Sequence, residues 1–168
     1  MTIVYIGIGS NLNSPIQQVK IAITNLSILP ETKILNQSSF YQSHPIGPLD
    51  QPDYINAVVA LETKLSPEAL LKTLKVLEEN QGRQRSAVRW AARVIDLDIL
   101  LYGNEIIRTK TLSIPHLQLK MREFVLYPLA EIAKRLVLPT TGESILVLKE
   151  QCPPKEIKRL IPCVGDLS

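Results

Sequence analysis

Two Ser-Pro dipeptides, Ser14-Pro15 and Ser66-Pro67, constrain the fold more than any other feature of the chain. Serine at the cap followed by proline at the first helical position is a helix-start signal: proline has no N–H to leave unpaired there, and its φ is already helical. Behind the first pair, Ile16, Val19, Ala22, Ile23 and Leu26 recur at helical spacing; behind the second, Leu70, Leu71, Leu74 and Leu77 do the same. Glu68 falls in the first turn of the second helix, where the positive end of the helix dipole favours an acid. Gly82 is the expected stop. Each helix follows a β-rich run, Thr2–Ser10 and Tyr54–Thr63. Two further runs, residues 32–41 and 94–102, complete the order strand, helix, strand, strand, helix, strand. Residues 44–52 hold three prolines and a glycine and read as a loop. Gly103-Asn104 predicts a hairpin turn into residues 105–107. A last helix should start near Met121, with Pro128 kinking or interrupting it. Pro139, Pro153, Pro154 and Pro162 predict an irregular tail.

That order is the split β-α-β arrangement. The expected class is α+β: a ferredoxin-like sandwich with a mainly antiparallel sheet, helices on its faces and extra C-terminal elements. A chain of 168 residues, 45% of them hydrophobic, can bury one core without disulfides. We therefore expect a single catalytic domain over 1–168, with 139–168 as a tail. Cys152 and Cys163 form no CxxC pair and have no histidine neighbour, so they are expected to be reduced thiols. The start of the chain does not read as a signal peptide, and no run approaches the ~20 apolar residues of a membrane span. A cytoplasmic monomer is expected. The net charge of +3 is compatible with an anionic small substrate and too weak to imply nucleic acid.

The sharpest chemical feature is Asp96-Leu97-Asp98 inside the apolar run 94–102. On a strand, alternate side chains share a face, so Asp96 and Asp98 stand together and Leu97 points away. Two neighbouring carboxylates repel, and a hard cation such as Mg²⁺ relieves that repulsion while keeping positions for phosphate oxygens. Directly upstream, residues 82–93 carry Arg83, Arg85, Arg89 and Arg93 around Trp90. Guanidinium groups make forked, charge-assisted bonds to phosphate. Arginines for phosphates beside aspartates for metal suggest the two halves of a Mg-nucleotide site. Tyr54 and Asn56 share a strand face, pairing an aromatic surface with an amide that both donates and accepts, which suits a flat heterocycle. His116 and Arg122 can reach phosphate, and Phe124 can stack. Gly7-Ile8-Gly9 is not a dinucleotide fingerprint, and the chain has no Walker A motif.

Taken in order, several segments resemble the 6-hydroxymethyl-7,8-dihydropterin pyrophosphokinase family of folate biosynthesis. They are Gly9-Ser10-Asn11-Leu12, Ser38-Ser39-Phe40-Tyr41, Gln51-Pro52-Asp53-Tyr54-Ile55-Asn56-Ala57, residues 93–100, and Ile114-Pro115-His116. The resemblance implies that Asp96 and Asp98 hold two Mg²⁺ ions, and that Tyr54 and Phe124 sandwich a pterin whose edge Asn56 reads. It implies that the segment 43–46, with Ser43, Pro45 and Ile46, lines the pterin pocket partly through its backbone. Glu78, Arg85, Trp90, Arg93, Ile99, Ser113, His116 and Arg122 fall at positions used for ATP, with Arg83 and Arg93 as the catalytic arginines. The chain departs from the family at Ala91-Ala92, where Gly-Pro is frequent, and at Lys75, Thr111 and Leu117. The implied reaction moves pyrophosphate from Mg-ATP to the hydroxymethyl group, leaving AMP.

Two other classes answer to parts of the pattern. A ferredoxin-like RNA-binding module accounts for the strand order and the basic segment, but not for a carboxylate pair beside it, since carboxylates repel phosphate unless a metal intervenes. A metal-dependent phosphodiesterase accounts for the aspartates, but has no need of the Tyr54 and Asn56 face.

Overall fold

The computed structural model describes residues 1–45, 51–82, 94–154 and 157–160. Ile46, Arg83, Arg85, Arg89, Trp90, Ala91, Ala92, Arg93, Pro162 and Cys163, all singled out from the sequence, lie outside these residues.

The elements run β1 (Thr2–Ser10), α1 (Pro15–Ser27), β2 (Thr32–Gln37), β3 (Tyr41–Ser43), β4 (Tyr54–Thr63), α2 (Pro67–Asn80), β5 (Asp96–Tyr102), β6 (Ile107–Arg108), β7 (Ser113–Ile114), a 3₁₀ turn (Leu119–Met121), α3 (Glu123–Ala133), α4 (Ile145–Gln151) and β8 (Lys158–Arg159). The main sheet is ordered β5-β1-β4-β3-β8, with β2 also on β4, and every pairing is antiparallel. This is the ferredoxin-like α+β sandwich expected, with an added edge strand.

Period-two alternation splits the sheet into two faces. Val4, Ile6 and Ile8 pack with Val19, Leu26, Leu70 and Leu74, which puts α1 and α2 on one side. Val58, Leu100 and Leu101 pack with Leu126, Leu129 and Leu148, which puts α3 and α4 on the other. A register shift lies between Tyr5 and Ile6 on β1, opposite residues 99–101 of β5. The extra residue lets Leu100 and Leu101 both join the α3 side, while Ile99 and Tyr102 join the other core.

Several local expectations need correction. Ser66 caps α2 through its side chain, accepting from Ala69 N–H at 3.2 Å. Ser14 does not cap α1 that way: it sits at φ 66° without a side-chain bond, and the Gln18 amide reaches the Asn13 carbonyl at 2.9 Å instead. The 32–41 run is two strands, because at Ser38 the N–H still donates to the Val58 carbonyl at 2.9 Å but the side-chain hydroxyl takes the Val58 N–H, also at 2.9 Å. The turn at Gly103 forms, with Glu105 N–H on the Tyr102 carbonyl at 3.0 Å, but β6 does not return onto β5; it pairs with β7. Pro128 sits inside α3 without ending it. The tail is not irregular throughout: Ile145 and Leu148 of α4 are buried against α3, and β8 lies antiparallel on β3.

Candidate active site

The α3 side of the sheet carries one transverse row of residues that defines a cavity. Asp96 of β5 is opposite Gly9 of β1, Gly9 is opposite Asn56 of β4, and Asn56 is opposite Tyr41 of β3. In the next row Asp98 faces Gly7. Strands lie about 4.8 Å apart, so the backbones of Asp96 and Asn56 are separated by about 10 Å across a strip with no side chains. A Cβ at Gly9 would lie 3.3 Å from Asn56 Oδ1 and 3.6 Å from Tyr54 Cδ1; one at Gly7 would lie 3.3 Å from Leu100 Cδ2. The two glycines are thus the floor of a cavity of about 330 Å³, walled by Asp96 and Asp98 on one flank and Ser43, Tyr54 and Asn56 on the other. Glycine at alternate strand positions signals close approach of a ligand or another backbone. That signal was present in Gly7-Ile8-Gly9, and these two are the floor residues the motif reading missed.

The roof comes from chain beyond β5. His116 N–H donates to the Leu100 carbonyl at 2.9 Å, hooking the segment after β7 onto the bulged part of β5. Arg108 donates from Nη1 to the carbonyls of Ile107, Ile114 and Pro115 at 2.9, 2.7 and 3.3 Å, bracing the same segment. His116 Nδ1 accepts the Gln118 N–H at 3.2 Å, so in the neutral ring the proton sits on Nε2. Burial pushes the His116 pKa below its ordinary value, Arg122 pushes it the same way, and Asp96 opposes both. Arg122 stacks over the Phe124 ring, 5.4 Å from its centroid, a distance at which a guanidinium is attracted to the ring face. Phe124 opens α3, so the helix that closes the second core also delivers an aromatic to the cavity.

Hydrogen bonds hold the aromatic and amide wall. Asn56 Nδ2 donates to Ser43 Oγ at 2.7 Å, which leaves its carbonyl oxygen toward Gly9. Asn11, almost wholly buried, donates to Gln51 Oε1 and the Pro52 carbonyl, both at 3.1 Å, fixing the approach to β4. Asp53 receives Gln42 Nε2 at 3.0 Å and lies 2.7 Å from His44 Nδ1. His44, within the segment 43–46 that the resemblance places at the pocket, also lines the cavity, as does Gln118, to which no sequence signal pointed.

Eight of the residues singled out from sequence meet on this one cavity: Ser43, Tyr54, Asn56, Asp96, Asp98, His116, Arg122 and Phe124. Pro45 lies next to His44 but off the wall. Glu78, Ile99 and Ser113 are not on it either. Ile99 faces the α1–α2 core. Glu78 is buried, and its carboxylate accepts the Leu97 N–H at 2.8 Å, which seats the start of β5 between the two aspartates. Among the described residues no three His, Cys, Asp or Glu side chains converge as a metal cage. The Asp96 and Asp98 pair suits an ion that completes its shell with water and ligand oxygens, which is how Mg²⁺ binds. No helix among the described residues is long and apolar enough to cross a membrane.

The family model for 7,8-dihydro-6-hydroxymethylpterin-pyrophosphokinase (HPPK) matches residues 5–134. The chain is 50% identical over 94% of its length to the 2-amino-4-hydroxy-6-hydroxymethyldihydropteridine pyrophosphokinase of Haemophilus influenzae, covering 98% of that protein. It is 44% identical over 94% of its length to the enzyme of the same name from Pseudomonas aeruginosa, covering 96% of it. It superposes on the solved structure of Plasmodium falciparum HPPK-DHPS wild type with SDX-DHP at a TM-score of 0.71 and 15% identity, over 89% of this chain. The chain spans 44% of that longer protein, and the likeness shows the shared fold. On the matched length and identity, this chain belongs to the 7,8-dihydro-6-hydroxymethylpterin-pyrophosphokinase family.

Proposed function

We propose that this protein transfers the terminal two phosphates of ATP, as one unit, to the hydroxymethyl group of 6-hydroxymethyl-7,8-dihydropterin in folate biosynthesis. The observation that carries the reading is the glycine strip of β1, with a carboxylate pair along one border and an aromatic–amide wall along the other. A flat heterocycle on the strip would stack between Tyr54 and Phe124 and present its edge to Asn56. Its hydroxymethyl group would then point along the strip toward Asp96 and Asp98.

Two Mg²⁺ ions on these aspartates would neutralise phosphate oxygens and make the attacking hydroxyl more acidic. The remaining work is positioning and charge stabilisation by the chain itself. His116, with its proton on Nε2, donates toward phosphate without carrying a competing charge. Arg122 is prepositioned by the Phe124 ring. Arg83 and Arg93, with Arg85, Trp90, Ile46 and Pro45, belong to this reading on the sequence alone. So do the ATP roles of Glu78, Ile99 and Ser113. Glu78 supports β5 from below, Ile99 lies on the opposite face, and Ser113 sits in the strand before His116. A monomer acting in the cytoplasm, with no nucleic-acid partner, fits the mild charge.

The test is mass spectrometry of products from ATP, Mg²⁺ and hydroxymethyl-dihydropterin. AMP with a pterin diphosphate is the expected outcome. ADP with a pterin monophosphate would overturn the reading.

A further inference from the structure

Far from the metal-facing end of the cavity, one carboxylate joins three elements that do not touch the reacting atoms. Glu131, in the last turns of α3, accepts Ser39 N–H at 2.9 Å on Oε2 and 3.1 Å on Oε1. It also accepts the Ser39 hydroxyl at 2.9 Å and the Tyr41 hydroxyl at 2.7 Å. Arg159 of β8 donates from Nε to Ser39 Oγ at 3.0 Å, with Nη2 3.9 Å from Glu131 Oε2. Ser39 and Tyr41 are buried, so their donors need a partner, and this carboxylate supplies it. Folding an acid onto an edge already closed by β8 is more than surface solvation.

The geometry of the two elements gives the cluster a consequence. Phe124 and Glu131 are seven residues apart on α3, two helical turns, so they share a side and are separated by about 10 Å along the axis. Ser39, Tyr41 and Ser43 alternate along the edge and share the α3-side face. Tyr41 is opposite Asn56 and Ser43 is opposite Tyr54, and Ser43 Oγ receives the Asn56 amide. One end of α3 therefore carries the upper aromatic of the cavity, while the other end is bonded to the strand that holds the lower wall.

We propose that Glu131 is a positioning residue that sets the gap between Phe124 and the Tyr54–Asn56 wall by anchoring the far end of α3 to β3, with Tyr41 and Arg159 as its partners. The inference rests on the pterin slot described above. Loss of the anchor frees the C-terminal end of α3, and because the helix is a stiff rod held at mid-length by Leu126 and Leu129 against the sheet, a shift of that end is carried through to Phe124 at the other. The nucleotide side, built on β5 and the segment at His116, is joined to the sheet independently through the Leu100 carbonyl.

The experiment uses the full chain with Glu131→Gln, Tyr41→Phe and, in parallel, Phe124→Ala. KM for both substrates, pterin Kd by calorimetry and Tm are measured for each. Glu131→Gln should raise pterin KM and Kd about tenfold and Tyr41→Phe about threefold, with ATP KM within twofold of wild type. A merely structural role would lower Tm and the active fraction without separating the two substrates. If Glu131→Gln does not fold, Tyr41→Phe, which keeps the ring and loses one donor, decides the matter. Pterin Kd unchanged in Tyr41→Phe and Glu131→Gln but raised in Phe124→Ala would overturn the anchor alone. Pterin Kd unchanged in Phe124→Ala as well would overturn the slot with it, and equal rises in pterin and ATP KM would overturn the anchor.

Discussion

Gly9 stands directly opposite Asn56 on the β1–β4 ladder, and a side chain on Gly9 would begin 3.3 Å from the Asn56 amide oxygen. Asn56 cannot yield readily, because its Nδ2 is held by Ser43 Oγ at 2.7 Å. Gly9 needs no left-handed backbone, so its value is the space it leaves. Gly9→Val is therefore expected to keep the sheet, valine being a good strand former, and to lose pterin affinity by at least about tenfold, roughly 1.4 kcal/mol. Pterin calorimetry with an unchanged Kd would show that the strip is not where the ring lies.

Asp96→Ala or Asp98→Ala should abolish turnover and leave the circular dichroism spectrum intact. Both side chains are only partly buried, so truncation leaves no cavity in either core, while each variant would remove one proposed ligand of the cation. The expected loss is on the order of a thousandfold or more in kcat. Near-normal turnover of either variant at saturating Mg²⁺ would remove the metal assignment.

Tyr54→Ala and Phe124→Ala should weaken pterin binding more than ATP binding. Stacking contributes about 0.5–1.5 kcal/mol per aromatic beyond its burial. Phe124→Ala also takes the ring from beneath Arg122, so it should raise ATP KM slightly where Tyr54→Ala does not. Equal losses for the two ligands in Tyr54→Ala would contradict the sandwich.

His116 should titrate below its ordinary 6.5 in the ligand-free protein, since burial and Arg122 both disfavour the imidazolium and outweigh Asp96. With the folded-state value depressed, the unfolded chain binds more protons in the window between the two values. The stability contribution of His116 is then fully present above pH 6.5 and is lost as pH falls through the folded-state value. The chain has 2 histidines, so an NMR titration is assigned with His116→Gln alone. A midpoint at or above the ordinary value would contradict the proposed environment.

Local pattern was enough to read both helix starts after Ser-Pro, the shared face of Asp96 and Asp98, and that of Tyr54 and Asn56, because period 2 and period 3.6 are written in neighbouring residues. It misjudged Ser14, whose left-handed backbone carries the serine oxygen away from the cap, and the 32–41 run, which Ser38 divides by substituting its hydroxyl for a ladder position. It also read the tail as irregular from its prolines, although Ile145 and Leu148 find a buried face on α3.

What the sequence by itself determined, then, was the order of elements and which residues of each strand stand together. Only the tertiary structure decided which strands become neighbours. Burial of two opposite apolar faces places β1 between β5 and β4, so that Gly7 and Gly9 separate the aspartates from Asn56. Only it brought His116, Arg122 and Phe124 over that strip, since α3 must cover Val58 and Leu100, and its first turn then overhangs the glycines. The Glu131 cluster has the same origin: Ser39, Tyr41 and Arg159 are 92, 90 and 28 residues from Glu131 in sequence. No local spacing encodes such a meeting; it exists because β8 closes the edge that α3 crosses.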